Sequence, residues 1–491
     1  MANQKINDEQ SQQINLLRLQ ILELQKFIFS GKQEKFKLNP NSNEQQTALF
    51  ENDKIAEVAV EGIKHVNGYD VKQTAVRVNH PGRNPLPAHL RREEIILTPA
   101  QDVTGLKPVG QEITEILEYR EGELYVKKYI RPEYIQPTED GTQAKRVIAA
   151  LPNIPIAKSY VGASLLAHIM ASKYVDHTPI HRKLKMLGRQ QITIEDNTVN
   201  NWFKNGINLI VPVFKAHERQ VLQTHYLAVD ETPLKVLDKT KKGTTHQGYY
   251  WVYYNTVSRQ VLFKYQTGRS AMWPKETLKN YQGYLQTDGY AAYNQFDDVE
   301  GITTLNCWAH ARRKFIDAQS FDNAKASEVL VQIQLLYAVE KHCVENKYAA
   351  AEIKNYRQQN AVPVLKTLHD ILQTQLTNSL PKSPLGIALQ YTLARWDKLN
   401  VYTLDGNLRI DNNLVENSIR PVAIGRKNYL FAGNHEAAQR SAMLYSLFAT
   451  CKLHNVNPIE WLTYVFENIN DHKINNIEQL LPQNYAALIK M

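Results

Sequence analysis

Residues 226–265 read YLAVDETPLKVLDKTKKGTTHQGYYWVYYNTVSRQVLFKY. Three segments within it, Tyr226–Asp230, Gly248–Asn255 and Val261–Tyr265, are short, apolar and rich in β-branched and aromatic residues. That composition suits strands, and the short connections between them suit an antiparallel meander. Downstream, Ser270–Asn280 reads as a helix, Gly283–Asp288 (GYLQTD) as a strand and Thr303–Trp308 (TTLNCW) as another. A strand–helix–strand crossover pairs its strands in parallel. The expectation is a mixed sheet, antiparallel at one end and parallel at the other.

Three antiparallel strands followed by parallel strands with crossover helices is the element order of the ribonuclease H-like fold. Residues 324–400 are mostly helical and interrupt the sheet region before a last segment, 405–470. The core is therefore expected in two parts, 221–323 and 401–491, with 324–400 as a helical insertion.

Toward the N-terminus, Ile14, Leu17, Ile21, Leu24 and Ile28 step by three and four, a heptad seam that Gly31 stops. Residues 1–45 are expected to form a leucine-zipper-like helix, packed on its own domain or dimerising, with a linker over 46–79. Residues 79–93 (NHPGRNPLPAHLRRE) read as a basic, semi-rigid connection. Ile113–Tyr119, a turn at Arg120–Glu123 and Leu124–Ile130 make a hairpin, which places a small β-rich module at 80–145.

Residues 145–190 hold eight Lys or Arg and one acid, Asp176. Helix signals crowd the same region. Thr178-Pro179 opens a helix that Gly188 closes, and Thr193 and Asp196 begin another ending near Lys204. The region 146–220 is read as helix-turn-helix-like. Arg182, Lys183 and Lys185 would face phosphates. Asn197, Asn200 and Asn201 would face a groove, since Asn can bond adenine bidentately. The alternative is a plain helical scaffold with a solvated basic face.

The chain has 491 residues, a prior of about three domains. Its charge, 58 − 49 = +9, permits a polyanionic partner. Three cysteines exclude a disulfide framework and a Cys-rich zinc module. The polar start MANQKINDEQ carries no secretory signal, and no run of 18 apolar residues occurs, so neither export nor a membrane span is expected.

Asp230 and Asp288 are placed where neighbouring strands end, so both acids would project into one crevice. A third acid, Glu416, lies in DNNLVENSIRP. On a helix ended by Pro421, it would share a face with Asn412, Asn413, Asn417 and Arg420. Three carboxylates can hold a pair of Mg²⁺ or Mn²⁺ ions, which together activate an attacking oxygen and stabilise a leaving one at phosphorus. The basic run Arg312, Arg313 and Lys314 could hold phosphates nearby, as could Arg420, Arg426 and Lys427. His310 could orient a phosphate or satisfy a buried carbonyl. Cys307–His310 and Cys451–His454 share a Cys-x₂-His spacing, which is weak ground for a zinc site.

Taken together, these motifs resemble the large transposase of the insertion sequence 66 family. The resemblance rests on LAVDETP at 227–233, LQTDGYAAY at 285–293 and CWAHARRKF at 307–315. DNNLVENSIRPVAIGRKNYLFAGN at 411–434, GRNPLPAHLRREE at 82–94 and KYVDHTPIHRKLKMLG at 173–188 extend it over nearly the whole chain. It implies an Asp-Asp-Glu triad on Asp230, Asp288 and Glu416, and a ribonuclease H-like core. It implies cleavage at the ends of the chain's own element and joining of the 3′-OH ends to target DNA. The implied partners are double-stranded DNA, at least one further copy of the chain, and accessory proteins of the same element in a bacterial cytosol. A metal-dependent nuclease without strand transfer and an inactive DNA-binding remnant are the alternatives. In one respect the chain departs from the family pattern. The family carries a four-Cys zinc module where residues 95–140 here contain no Cys, although EILEYREGELYVKKYIRPEY at 115–134 still matches. No zinc is expected.

Overall fold

The computed structural model describes residues 86–488 apart from 105–107, 121, 138–143 and 239–242, together with the backbone of one hairpin nearer the N-terminus. That hairpin, β1 (Ile63–Val66) and β2 (Tyr69–Lys72), belongs to the unit Met1–Pro85. The heptad segment 14–28, and with it the expected helix over 1–45, lies outside the described residues, as does most of the linker 46–79.

The unit from Leu86 onward opens with a four-stranded sheet made of β3 (Arg91–Ile96), β4 (Pro108–Arg120), β5 (Glu123–Pro137) and β6 (Ala144–Ile148). β5 runs parallel to β3 and antiparallel to β4 and β6. Both strands of the expected hairpin are longer than the sequence pattern suggested, and β6 carries the sheet past residue 145. Leu117, Leu124 and Val126 join the same apolar core as the helices that follow. Ile113 is 46% exposed, and the tyrosines Tyr125 and Tyr129 are buried. Arg131 is 7% exposed; it donates to the Ala149 carbonyl at 3.0 Å and pairs with Glu112 at 2.7 Å. A sheet this small gains stability by leaning on a neighbour.

Three helices follow, α1 (Ala163–Tyr174), α2 (Ile180–Arg189) and α3 (Asp196–Leu222). The helix expected to stop near Lys204 runs 27 residues, through Pro212. Its apolar face continues with Ile207, Ile210, Val213 and Phe214, all buried, and tertiary packing of that face outweighs one lost backbone hydrogen bond.

The second sheet runs, edge to edge, β11 (Ile302–Asn306), β10 (Gly283–Thr287), β7 (Tyr226–Leu237), β8 (Thr245–Asn255) and β9 (Gln260–Gln266). β7, β8 and β9 are antiparallel. Past the short helix α4 (Met272–Thr277), β10 pairs in parallel with β7, and β11 with β10. Asp230 therefore sits inside a strand rather than at its end. The apolar run Tyr226–Val229 is buried; beyond Thr232, burial alternates, as in a strand wet on one face.

Next come α5 (Trp308–Ala318), α6 (Asn323–Glu345), α7 (Ala350–Thr377), α8 (Pro384–Leu393) and α9 (Trp396–Asn400). They share a separate core with Leu305, Trp308 and Phe315. The chain returns to the sheet with α10 (Asn413–Asn428) and α11 (His435–Leu453), then α12 (Pro458–Asn468) and α13 (Pro482–Leu488). α11 lies along edge strand β9, where Thr450 and Ser446 hydroxyls accept the Val261 and Phe263 N–H groups at 3.1 and 2.8 Å. Those contacts satisfy donors that an open sheet edge would leave free.

Candidate active site

The register of β10 against β7 pairs Tyr284 with Tyr226 and Gln286 with Ala228. Carried two residues further, it sets Asp288 beside Asp230. Asp288 follows the strand in a tight turn, where its Oδ1 accepts the Tyr290 N–H at 2.8 Å. Gly289 has φ +85°, a conformation that favours glycine.

Glu416 arrives on the first turn of α10. The residue ahead of that helix, Asn412, is buried and donates its Nδ2 to the Val229 carbonyl at 3.0 Å, one residue from Asp230. Its N–H donates to Cys307 Sγ at 3.2 Å. Asn412 thus leaves the polar face expected for it and instead ties the helix to β7. Asn413, Glu416, Asn417 and Arg420 do share one face, and with Asp230 they line a crevice of about 500 Å³. Pro421 does not end α10, which runs to Asn428. Val422 and Gly425 are buried in its second half, so packing carries the helix past the proline.

One acid went unread in the sequence. Glu231 follows Asp230, and alternation along a strand assigns consecutive residues to opposite faces. Carboxylate oxygens of Asp230, Glu231 and Asp288 nevertheless lie within 4.8 Å of one another. The Glu231 side chain is 1% exposed, with Arg269 Nε donating at 2.7 Å and the Tyr293 hydroxyl at 2.8 Å. Burial, then the charge of Asp288, pushes the Glu231 carboxyl up, and Arg269 and Tyr293 pull it back. Asp230 is held well above the usual carboxylate range by burial first, then by Asp288 and Glu231 and, less, by Glu416. Opposing this, the Glu231 N–H donates to Asp230 Oδ1 at 2.8 Å.

Across the crevice, His310 Nδ1 lies 3.8 Å from Glu416 Oε1, and Arg313 Nη2 lies 3.5 Å from Glu416 Oε2. Burial lowers the His310 pKa, and the Glu416 charge opposes the shift. His310 Nδ1 and Glu416 Oε1 are buried and lack a hydrogen-bond partner. The raised carboxyls of Asp230 and Glu231 beside Asp288, and the unpartnered oxygen of Glu416 on the same crevice as Asp230, suit divalent cations. The oxygen donors of Asp230, Asp288 and Glu416 fit a hard ion such as Mg²⁺ or Mn²⁺. Cys307 stands near His310 and Glu416, with its thiol pushed up to about 12 by burial, which disfavours a thiolate ligand.

The cations expected to meet DNA are distributed unevenly. Arg313 and Arg420 face the crevice, and Arg312 and Lys427 are exposed on the same helices, α5 and α10. Arg426 instead turns inward and donates to the Pro233 carbonyl at 2.6 Å. On α2, Arg182 and Lys185 are exposed, whereas Lys183 is half-buried, with Nζ donating to His168 Nε2 at 2.5 Å. Asn197, Asn200 and Asn201 are all exposed on the first turns of α3.

Residues 158–440 match the family described as Transposase IS66 family, and 446–483 match the IS66 C-terminal element. Residues 16–95 match the Transposase C of IS166 homeodomain. Two uncharacterised proteins of Sinorhizobium fredii (strain NBRC 101917 / NGR234) are similar along most of their length. One, y4jD, is 30% identical over 424 residues, 82% of each chain. The other, y4qI, is 30% identical over 431 residues, 82% of this chain and 78% of its own. YuaK of Escherichia coli (strain K12), also uncharacterised, is 41% identical over 49 residues, 10% of this chain and 52% of its own. No solved structure matches significantly. The match over 158–440, with relatives this extensive, places the chain in the Transposase IS66 family.

Proposed function

We propose that the chain is a DNA transposase that cleaves phosphodiester bonds at the ends of its insertion element and joins the freed 3′-OH ends to target DNA. The observation that carries this reading is the approach of the Asp230 and Asp288 carboxylates, from β7 and from the turn after β10, to within 4.8 Å, beside a crevice that Asp230 shares with Glu416 of α10. Sheet order and helix placement support a ribonuclease H-like core over 221–323 and 401–491, with 324–400 inserted. Asp230, Asp288 and Glu416 would hold two Mg²⁺ or Mn²⁺ ions. Such ions, when bound, activate the attacking oxygen and stabilise the leaving oxygen. The chain's own part is to hold the phosphate and exclude other geometries. Arg313 and Arg420 face the crevice and can take phosphate oxygens, with Arg312 and Lys427 further out along the DNA. In cleavage a water oxygen bonds to phosphorus and the element's 3′ oxygen leaves, taking a proton. In joining, that 3′-OH loses its proton, bonds to a target phosphorus and expels the target's own 3′ oxygen.

Regions 146–220 and 80–145 would bind the element ends, the latter without zinc, and the heptad pattern within residues 1–45 would bring two copies together. Accessory proteins of the element would act beside it in the bacterial cytosol. No described helix is long and apolar enough to cross a membrane. Strand transfer tests the proposal against simple hydrolysis. A pre-cleaved element end, supercoiled target plasmid, Mg²⁺ and purified chain should give joined products. Nicked plasmid without joined ends would show a nuclease instead.

A further inference from the structure

The three acids differ in what carries them. Asp230 lies within a strand and Glu416 within a helix, so regular backbone fixes both. Asp288 lies past the end of β10, in an irregular turn. Such a turn keeps one orientation only if its neighbours hold it. Two of those neighbours come from the helical segment. The Tyr391 hydroxyl on α8 donates to the Asp288 carbonyl at 2.7 Å. Arg395, just ahead of α9, donates Nη2 to the Gly289 carbonyl at 2.9 Å. The two side chains brace each other, the Arg395 guanidinium lying 4.1 Å from the Tyr391 ring centroid. Lys314 sits 4.7 Å from the same centroid. A Cβ at position 289 would fall 2.5 Å from Arg395 Nε, so glycine is what lets Arg395 reach the backbone. On its other side the turn is gripped by Arg269, stacked 3.7 Å from the Tyr290 ring centroid and tied to Glu231.

We propose that Tyr391 and Arg395 are positioning residues through which the helical segment 324–400 holds the Asp288 carboxylate toward the metal it would share with Asp230. This rests on the reading of Asp288 as a metal-holding residue. Neither side chain bonds to the carboxylate itself; both act on the two carbonyls of the turn. The helical segment is then part of the site's architecture, and displacing it by partner or DNA contact would loosen the second acid.

Equilibrium Mn²⁺ binding, followed by the electron paramagnetic resonance of free ion, tests this in the full chain without DNA. The variants are Tyr391→Phe, Arg395→Lys and Asp288→Asn, with melting temperatures recorded in chelator. Partners that orient metal ligands are typically worth 10-fold or more in affinity, so Tyr391→Phe and Arg395→Lys should each weaken Mn²⁺ binding about 10-fold. Their melting temperatures should stay at the wild-type value, and excess Mn²⁺ should restore cleavage. Wild-type Mn²⁺ affinity in both, beside weakened binding in Asp288→Asn, would overturn the positioning role and leave the metal reading standing. Wild-type affinity in Asp288→Asn would overturn both. Weaker binding with a lowered melting temperature, unrescued by excess Mn²⁺, would show a merely structural role and overturn the proposal too.

Discussion

Replacing Arg357 by Met should unlock the helical segment and the approach to Glu416 together. Arg357 sits on α7, 2% exposed. Its Nε and Nη2 donate to the two Glu340 oxygens of α6 at 2.8 and 2.6 Å. Nη1 donates to the Tyr402 and Asp405 carbonyls at 2.7 and 2.9 Å, and Nη2 to the Leu408 carbonyl at 2.9 Å. One guanidinium thus joins two long helices to the segment that leads into Asn412 and Glu416. Removing one partner of a buried ion pair typically costs about 3–5 kcal/mol, because the other charge is stranded. Replacing both, as Arg357→Met with Glu340→Leu, removes the stranded charge and leaves three carbonyls short of a donor, at about 1 kcal/mol each. The double variant should therefore be no less stable than the single. Hydrogen exchange of peptides covering 323–377 reads this locally, without assuming all-or-none unfolding of a long chain. A single-variant loss under about 1 kcal/mol, or a double variant clearly less stable than the single, would refute the reasoning.

His217 on α3 is fully buried, its Nε2–H donating to the Val261 carbonyl at 2.7 Å, and burial holds its pKa at about 4. The unfolded chain takes up this proton below about pH 6.5, while the native site resists until about 4, so stability falls as pH falls across that window, by at most roughly 3 kcal/mol. Urea melts of His217→Phe should show a smaller acid limb, the remainder coming in part from His168, which burial also holds at about 4; an unchanged limb would place its source elsewhere. On α2, alanine at Arg182 and Lys185 together should lower the salt slope of DNA binding by about 1.8, at roughly 0.9 per lost phosphate contact. Lys183→Ala alone should barely move it, since that ammonium is turned against His168. A wild-type slope in the Arg182/Lys185 pair would show this face to be solvated only.

Much of this architecture is legible in local pattern. The apolar runs 226–230, 248–255 and 261–265, and the crossover to 283–288, become adjacent strands in the expected order. Asp230 and Asp288 belong to neighbouring strands and their ends, so their approach is a consequence of strand register, and one helix return brings Glu416 to the crevice that Asp230 lines. What was not legible depends on contacts distant in sequence. Glu231 was hidden by strand alternation, and its burial is made tolerable by Arg269 and Tyr293, 38 and 62 positions away. Arg426 looked like a surface cation because the Pro233 carbonyl that captures it lies 193 residues off. The proline rule misjudged α10: at Pro421 an apolar face continues on the far side and its burial decides, as it does where α3 runs on past Lys204 and through Pro212. Tyr391 and Arg395 carry no motif of their own; only the fold brings them beneath Asp288.

The central claim is that Asp230, Asp288 and Glu416 act as one metal-holding set. Its most direct measurement is single-turnover cleavage of an element-end duplex in Mg²⁺ by Asp230→Asn, Asp288→Asn and Glu416→Gln, alongside duplex binding in Ca²⁺. These substitutions keep shape and remove charge, and Ca²⁺, larger and looser in geometry, should support binding with little chemistry. The expected result is no detectable cleavage by any of the three, with binding within a few-fold of wild type. Cleavage at the wild-type rate by any one of them would contradict the assignment.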